Sequence, residues 1–153
     1  MKPSGKLFTT LLLFLGAGLR LRQYLSGRSL WADEAMLALN IVNRNFTELF
    51  KPLEYDQGAP LGFLLVEKFF NLILGRHELV LRFFPLLAGL ASLWLFFLLA
   101  KKTLQGAGFY LALALFAVNP QLVYYTSESK QYIIDVAVVI GLLVLAMPVF
   151  QRG

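Results

Sequence analysis

Residues 79–102 read LVLRFFPLLAGLASLWLFFLLAKK, a predominantly apolar run closed abruptly by Lys101 and Lys102. A helix needs about 20 such residues to cross the hydrocarbon of a bilayer, so this stretch predicts a spanning helix over 79–100. Arg82 and Pro85 fall at its start, where both are tolerated. The lysine pair in a short loop marks a cytoplasmic end, because loops rich in Lys and Arg stay on the cytoplasmic side.

Working outward, Leu61–Leu74 is apolar but short, and it carries Glu67 and Lys68 in its middle. Each charge would cost about 2.5–3.5 kcal/mol at the bilayer centre, so an interfacial or re-entrant helix is expected there. Residues 7–25 form a span preceded by Lys2 and Lys6, with Arg20 and Arg22 at the far end, placed to snorkel or to face protein. A cleaved signal peptide, with Gly16 and Gly18 near its cleavage pattern, is the rival reading of that segment. Beyond the lysine pair, 107–123 and 133–150 are apolar, and the polar 124–132 separates them.

Parity then sets the topology. Lys2 and Lys6 assign the N-terminus to the cytoplasm, as Lys101 and Lys102 do the end of 79–100. An even number of crossings must separate them. Leu61–Leu74 therefore does not cross, and 26–78 is one long external loop. The 124–132 segment is external as well, which brings Asp33 and Glu128 to one face of the membrane. The expected fold is an all-α integral membrane domain over 1–153. It has about four transmembrane helices and a long first external loop carrying amphipathic interfacial helices. The expected location is a bacterial inner membrane with the N-terminus cytoplasmic. Composition agrees: 58% of the residues are hydrophobic and 15% charged, with a mean hydropathy of +0.68, whereas soluble domains run near a quarter charged. The net charge of +5 is scattered at the ends of apolar runs, which is no nucleic-acid footprint. With no cysteine there is neither a disulfide framework nor a thiolate metal site.

Candidate chemistry gathers in the two external segments. Ser29-Leu30-Trp31-Ala32-Asp33-Glu34-Ala35 opens the first loop as an amphipathic helix. Trp31, Ala35, Leu39, Val42 and Phe46 lie on one face and Asp33, Asn40 and Arg44 on another. Ser29 is placed to cap this helix, and Asp33 and Glu34 suit its positive end. A carboxylate at that depth also serves as general base for a hydroxyl or amine acceptor. Tyr55-Asp56-Gln57-Gly58-Ala59-Pro60 reads as a turn that lines the site. In the second segment Glu128 is placed to hold a metal or orient an acceptor, and Lys130 to meet a phosphate as a point charge. The plain alternative there is a hydrated cluster with Tyr124, Tyr125 and Tyr132 as an aromatic belt. His77 is the single histidine and reads as surface. Asn45-Phe46-Thr47 matches the short glycosylation acceptor pattern.

The ordered set of Leu30–Ala35, Tyr55–Pro60, Leu81-Arg82-Phe83-Phe84-Pro85, and Asn119-Pro120 through Tyr124-Tyr125 to Glu128-Ser129-Lys130-Gln131-Tyr132 resembles the N-terminal part of a GT-C type, polyprenyl-phosphate-dependent glycosyltransferase. The protein O-mannosyltransferases and the lipid A aminoarabinose transferases belong to that group. The resemblance implies an inverting transfer from a polyprenyl-phosphate sugar to a lipid, glycan or protein on the extra-cytoplasmic face. It implies Asp33 as the catalytic residue with Glu34 beside it. Glu128, Lys130, Tyr132, Asp56 and Gln57 are then substrate-binding, and the cation that offsets the leaving phosphate is either Lys130 or a divalent ion, Mg or Mn, held by Asp33 and Glu128. The turn carries Gly58 and Ala59 where some relatives have a lysine or a second proline. Because members of the group are several times longer, the 153 residues read as a portion of such an enzyme, inactive alone and completed by further spans. A non-catalytic helical membrane subunit binding a partner or lipid is the alternative.

Overall fold

The computed structural model describes residues 3–150. Its regular structure is helical, with no strand among the described residues. The helices are α1 (Pro3–Tyr24), α2 (Ala32–Asn43), α3 (Leu61–Leu74), α4 (Glu78–Leu81), α5 (Phe83–Thr103), α6 (Gly106–Val118), α7 (Pro120–Tyr125) and α8 (Tyr132–Phe150), with a 3-10 turn over Glu48–Phe50. α4 and α5 run on from Glu78 to Thr103 as one apolar stretch of 26 residues. Among the described residues it alone is long and apolar enough to cross a membrane. Gly106–Val118 and Tyr132–Pro148 are shorter apolar helices.

The structure corrects the expected single span over 107–123. The helix breaks between Val118 and Pro120 into α6 and α7. Pro120 has no N–H to offer the Phe116 carbonyl one turn back. The Gln121 and Leu122 amides turn instead to the Asn119 side chain, each at 3.0 Å. The carbonyls of Phe116, Ala117 and Val118 thereby lose their helical donors, and Arg20 of α1 covers the first two. Its Nη1 donates to the Ala117 carbonyl at 3.0 Å and its Nη2 to that of Phe116 at 3.5 Å. Arg20 is fully buried, so it faces protein rather than snorkelling, while Arg22 is exposed. Gly16, one turn earlier, permits this approach, because a Cβ there would lie 3.1 Å from that of Ala117.

Two cores divide the molecule. Leu12, Ala100, Phe109 and Leu113 knit α1, α5 and α6, and α8 lies along α5. The second core belongs to the loop between α1 and α5. Leu37, Ala38 and Ile41 of α2 meet Leu49, Phe63, Leu64 and Leu81. The charges in α3 serve this second core. The Lys68 ammonium donates to the Ile41 and Val42 carbonyls at 3.0 and 3.1 Å, closing the C-terminal end of α2. Glu67 is fully buried with neither oxygen bonded, and burial pushes its carboxyl well above the usual range.

Gly89 of α5 fixes the segment between α7 and α8. A Cβ there would run into the Thr126 methyl, and Thr126 to Lys130 are all buried. Overpacking costs about 1–3 kcal/mol. Gly89→Ala is therefore expected to lower the midpoint of thermal unfolding in detergent and to shift residues 126–130. Gly108→Ala, with open space around it, is the control that leaves the midpoint unchanged.

Candidate functional site

The site begins at the first turn of α2. Trp31 is extended and its N–H donates to the Glu34 carboxylate at 3.4 Å, so Trp31 rather than Ser29 is the N-cap. Consecutive residues on a helix point about 100° apart, so Asp33 and Glu34 cannot face the same surroundings. Glu34 turns into the protein with Leu37, Ala38 and Ile41, while Asp33 turns to the rim, where its side chain is 46% exposed. The face expected to carry Trp31 and Leu39 is the exposed one, and the i, i+3, i+4 set through Leu37 and Ile41 is the buried one.

Glu34 is fully buried and joins three parts of the chain. It accepts from the Ser129 backbone N–H at 2.8 Å and from Arg28 at 3.3 Å, and lies 3.8 Å from the Arg82 guanidinium. Arg82 donates to the Arg28 carbonyl at 2.6 Å. Arg28 also donates to the Ser127 carbonyl at 3.2 Å and stacks over Tyr124 at 4.6 Å. A carboxylate buried between two guanidiniums and an amide is paired on every side, and these contacts clamp the first loop to the second.

The clamp sets up a triangle on the exposed side. The Lys130 ammonium lies 2.7 Å from Asp33 Oδ2 and donates to Gln57 Oε1 at 2.8 Å. Gln57 Nε2 donates to Asp33 Oδ1 at 2.9 Å. Both oxygens of Asp33 are thus engaged, and the hydrogen bonds from Lys130 and then Gln57 hold its carboxyl below the usual carboxylate range. Gln57 reaches this point because Tyr55 and Asp56 both adopt left-handed backbone, at φ 62° and 51°. Such residues cost on the order of 1–3 kcal/mol each and cluster at functional sites.

Glu128 sits beside the triangle, almost wholly buried. Trp31 Nε1 donates to its Oε1 at 3.1 Å, and its Oε2 is buried without a partner. Burial, with Glu34 nearby, pushes its carboxyl upward. Tyr132 stands at the rim, 40% exposed and packed on Tyr125 with ring centroids 5.1 Å apart. Asp56 is exposed and makes no side-chain hydrogen bond or ion pair among the described residues, and its left-handed backbone helps shape the turn. The donor set suits an ammonium better than a divalent ion. Asp33 is taken up by an ammonium and an amide, and no three metal-ligating side chains come together among the described residues. His77 is exposed.

The triangle offers a half-exposed carboxylate able to take a proton and an ammonium able to meet an anion. Asp33, Gln57 and Lys130 are legible as site residues in the sequence, and Arg28 is not. That arginine stands in a Gly-Arg-Ser stretch with no periodicity, and only its partners give it meaning. Arg82 carried a signal, because a charge at the mouth of a span has to face protein or water. The family model described as dolichyl-phosphate-mannose-protein mannosyltransferase matches residues 57–153, which takes in Gln57, Arg82, Glu128 and Lys130. No match was found among curated proteins or among solved structures.

Proposed function

The chain belongs to the dolichyl-phosphate-mannose-protein mannosyltransferase family, a family of membrane glycosyltransferases, and from that premise we propose that it moves a sugar from a polyprenyl-phosphate donor to a hydroxyl or amine acceptor at the extra-cytoplasmic surface. The observation that carries this reading is the Asp33–Gln57–Lys130 triangle. The donor's tail stays in lipid, so its phosphate is held at surface depth. Lys130, nearly buried just before α8 and held by Asp33 and Gln57, draws the phosphate to the rim of the triangle. An anion at Lys130 competes with Asp33 for the ammonium and frees the carboxylate for the acceptor.

The acceptor oxygen then attacks the anomeric carbon, the bond from that carbon to the phosphate oxygen breaks, and the proton passes to Asp33. The electron pair of the broken bond stays on the phosphate, whose charge Lys130 offsets. Attack opposite the departing phosphate inverts the anomeric centre. Glu34 holds the clamp beneath.

The experiment is transfer from radiolabelled polyprenyl-phosphate mannose by membranes carrying the complete gene product. Transfer is expected, and Lys130→Gln is expected to raise the donor KM more than it lowers kcat. A chain that binds no polyprenyl phosphate would instead be a membrane subunit. The acid limb gives a second readout. Asp33 works ionised, and its carboxyl is held low by Lys130 and Gln57, so activity persists to lower pH than an ordinary carboxylate allows. Gln57→Leu removes one of those hydrogen bonds, lets the pKa rise, and moves the acid limb of kcat/KM to higher pH. An unmoved limb would count against Asp33 as the base.

A further inference from the structure

The nine carboxylates of the sequence all lie between Asp33 and Glu78 or between Glu128 and Asp135. They sit at the triangle's end of the bundle, where Gln23 of α1 donates to Ser127 at 3.2 Å and Tyr24 to the Leu79 carbonyl at 2.9 Å. The opposite end, where α1 begins and α5 stops, carries Lys6, Lys101 and Lys102 and none of those acids. All three lysines are exposed and in no ion pair among the described residues. An anion that pairs with them comes from outside the nine.

A groove runs from two of these lysines along α1 and α5. Its mouth is a cavity of about 320 Å³ lined by Lys6 and Lys101, with Trp94 and Phe97 behind them. It continues as an apolar cavity of about 360 Å³ bounded by Phe14, Ala17, Leu90 and Leu93. Thr10, Leu13 and Trp94 line both, so the two are one groove. From Lys6 to Ala17 it follows α1 for about 16 Å at 1.5 Å per residue. That is close to half the hydrocarbon thickness of a bilayer, about 15 Å.

Lysines at a helix end also set topology, but that role asks only for charge in the loop. It does not ask two helices to bring one lysine each to the mouth of a shared groove. The groove lies at hydrocarbon depth, so its occupant comes from the bilayer and carries an apolar chain. Two ammoniums at the mouth select a net negative head, and basic pockets between spanning helices hold such heads. A zwitterionic head brings its own cation and gains less. We propose that this groove binds an anionic phospholipid of the leaflet opposite the triangle. Its phosphate sits at Lys6 and Lys101, and one acyl chain lies along Leu13, Ala17 and Leu90. The sugar donor is not the occupant, because in the reading above its phosphate stands at Lys130, at the other end of the bundle.

Trp94 reports on the groove from inside. The complete protein is reconstituted in phosphatidylcholine vesicles, and the Trp94 signal is taken as the difference between the parent and Trp94→Phe. Dibrominated phosphatidylglycerol and dibrominated phosphatidylcholine are compared as quenchers, which gives their relative affinity at Trp94. The anionic lipid is expected to be favoured by about tenfold, which is about 1.4 kcal/mol. Lys6→Gln combined with Lys101→Gln should abolish that preference. Lys102 lines neither part of the groove, so Lys102→Gln should keep it and controls for general attraction to a charged surface. Thr10 is exposed at the junction of the two parts, and Thr10→Phe should exclude the acyl chain and weaken quenching with both lysines in place. Equal quenching by the two lipids, a preference that survives loss of both lysines, an equal fall in Lys102→Gln, or unchanged quenching in Thr10→Phe overturns the proposal. So does an absence of lipid quenching, the result if another helix of the complete protein covers the groove. Stronger quenching by brominated polyprenyl phosphate than by phosphatidylglycerol would give the groove to the donor's tail and overturn it too. No arm needs turnover, so failure here leaves the transferase reading as it was.

Discussion

Asp33→Asn is expected to lower transfer by about 10²–10⁴-fold, the usual contribution of a general base, in protein that inserts and binds donor normally. The substitution is nearly isosteric. Its amide carbonyl still accepts from Lys130 or from Gln57, so the triangle keeps much of its shape. What is lost is a group able to hold the acceptor's proton. Asp33 suits this role because its side chain is 46% exposed, within reach of a visiting hydroxyl. Measured under saturating donor and acceptor, the fall should appear in kcat with little change in the donor KM. Residual activity within about tenfold of the parent, a difference of only about 1.4 kcal/mol, would remove Asp33 from the chemistry.

Glu34→Ala should act through stability. The carboxylate lies between Arg28 and Arg82 and accepts from the Ser129 amide, with no exposure to solvent. Its removal leaves Arg82, itself 1% exposed, as a buried cation without a counter-charge. Breaking a buried pair in this way costs about 3–5 kcal/mol. The expected result is a large drop in the thermal midpoint and loss of a monodisperse peak in detergent. Because the same carboxylate ties Ser129 to α2, the variant should also lose donor binding at Lys130. The double variant Glu34→Leu with Arg82→Leu should recover part of the stability, since replacing both members of a buried pair by apolar groups is often close to neutral. A Glu34→Ala protein as stable as the parent yet inactive would make Glu34 a participant in the reaction instead of its anchor.

The helices at 79–100 and Leu61–Leu74 are legible in the sequence because helix formation follows local composition. The burial of Glu67 and Lys68 inside the second core is not, because it depends on α2 packing over α3. The break within 107–123 is hidden from composition because the apolar character continues through a proline. Hydropathy weighs side chains, whereas the break comes from a missing N–H, and it is sustained by Arg20 from another helix.

The chemistry available is written in the chain: acids at 33, 34 and 128, an amide at 57 and an ammonium at 130, carried on two polar segments between apolar ones. Which acid faces the rim and which is buried follows from packing. Packing also draws Gln57 and Lys130 onto Asp33. The reason is physical. An apolar run answers to the solvent around it, a property each residue carries alone. A carboxylate's role is set by its partners, and those of Glu34 include Ser129, 95 residues away in the chain, met only when α5 and α8 pack and bring the two loops together.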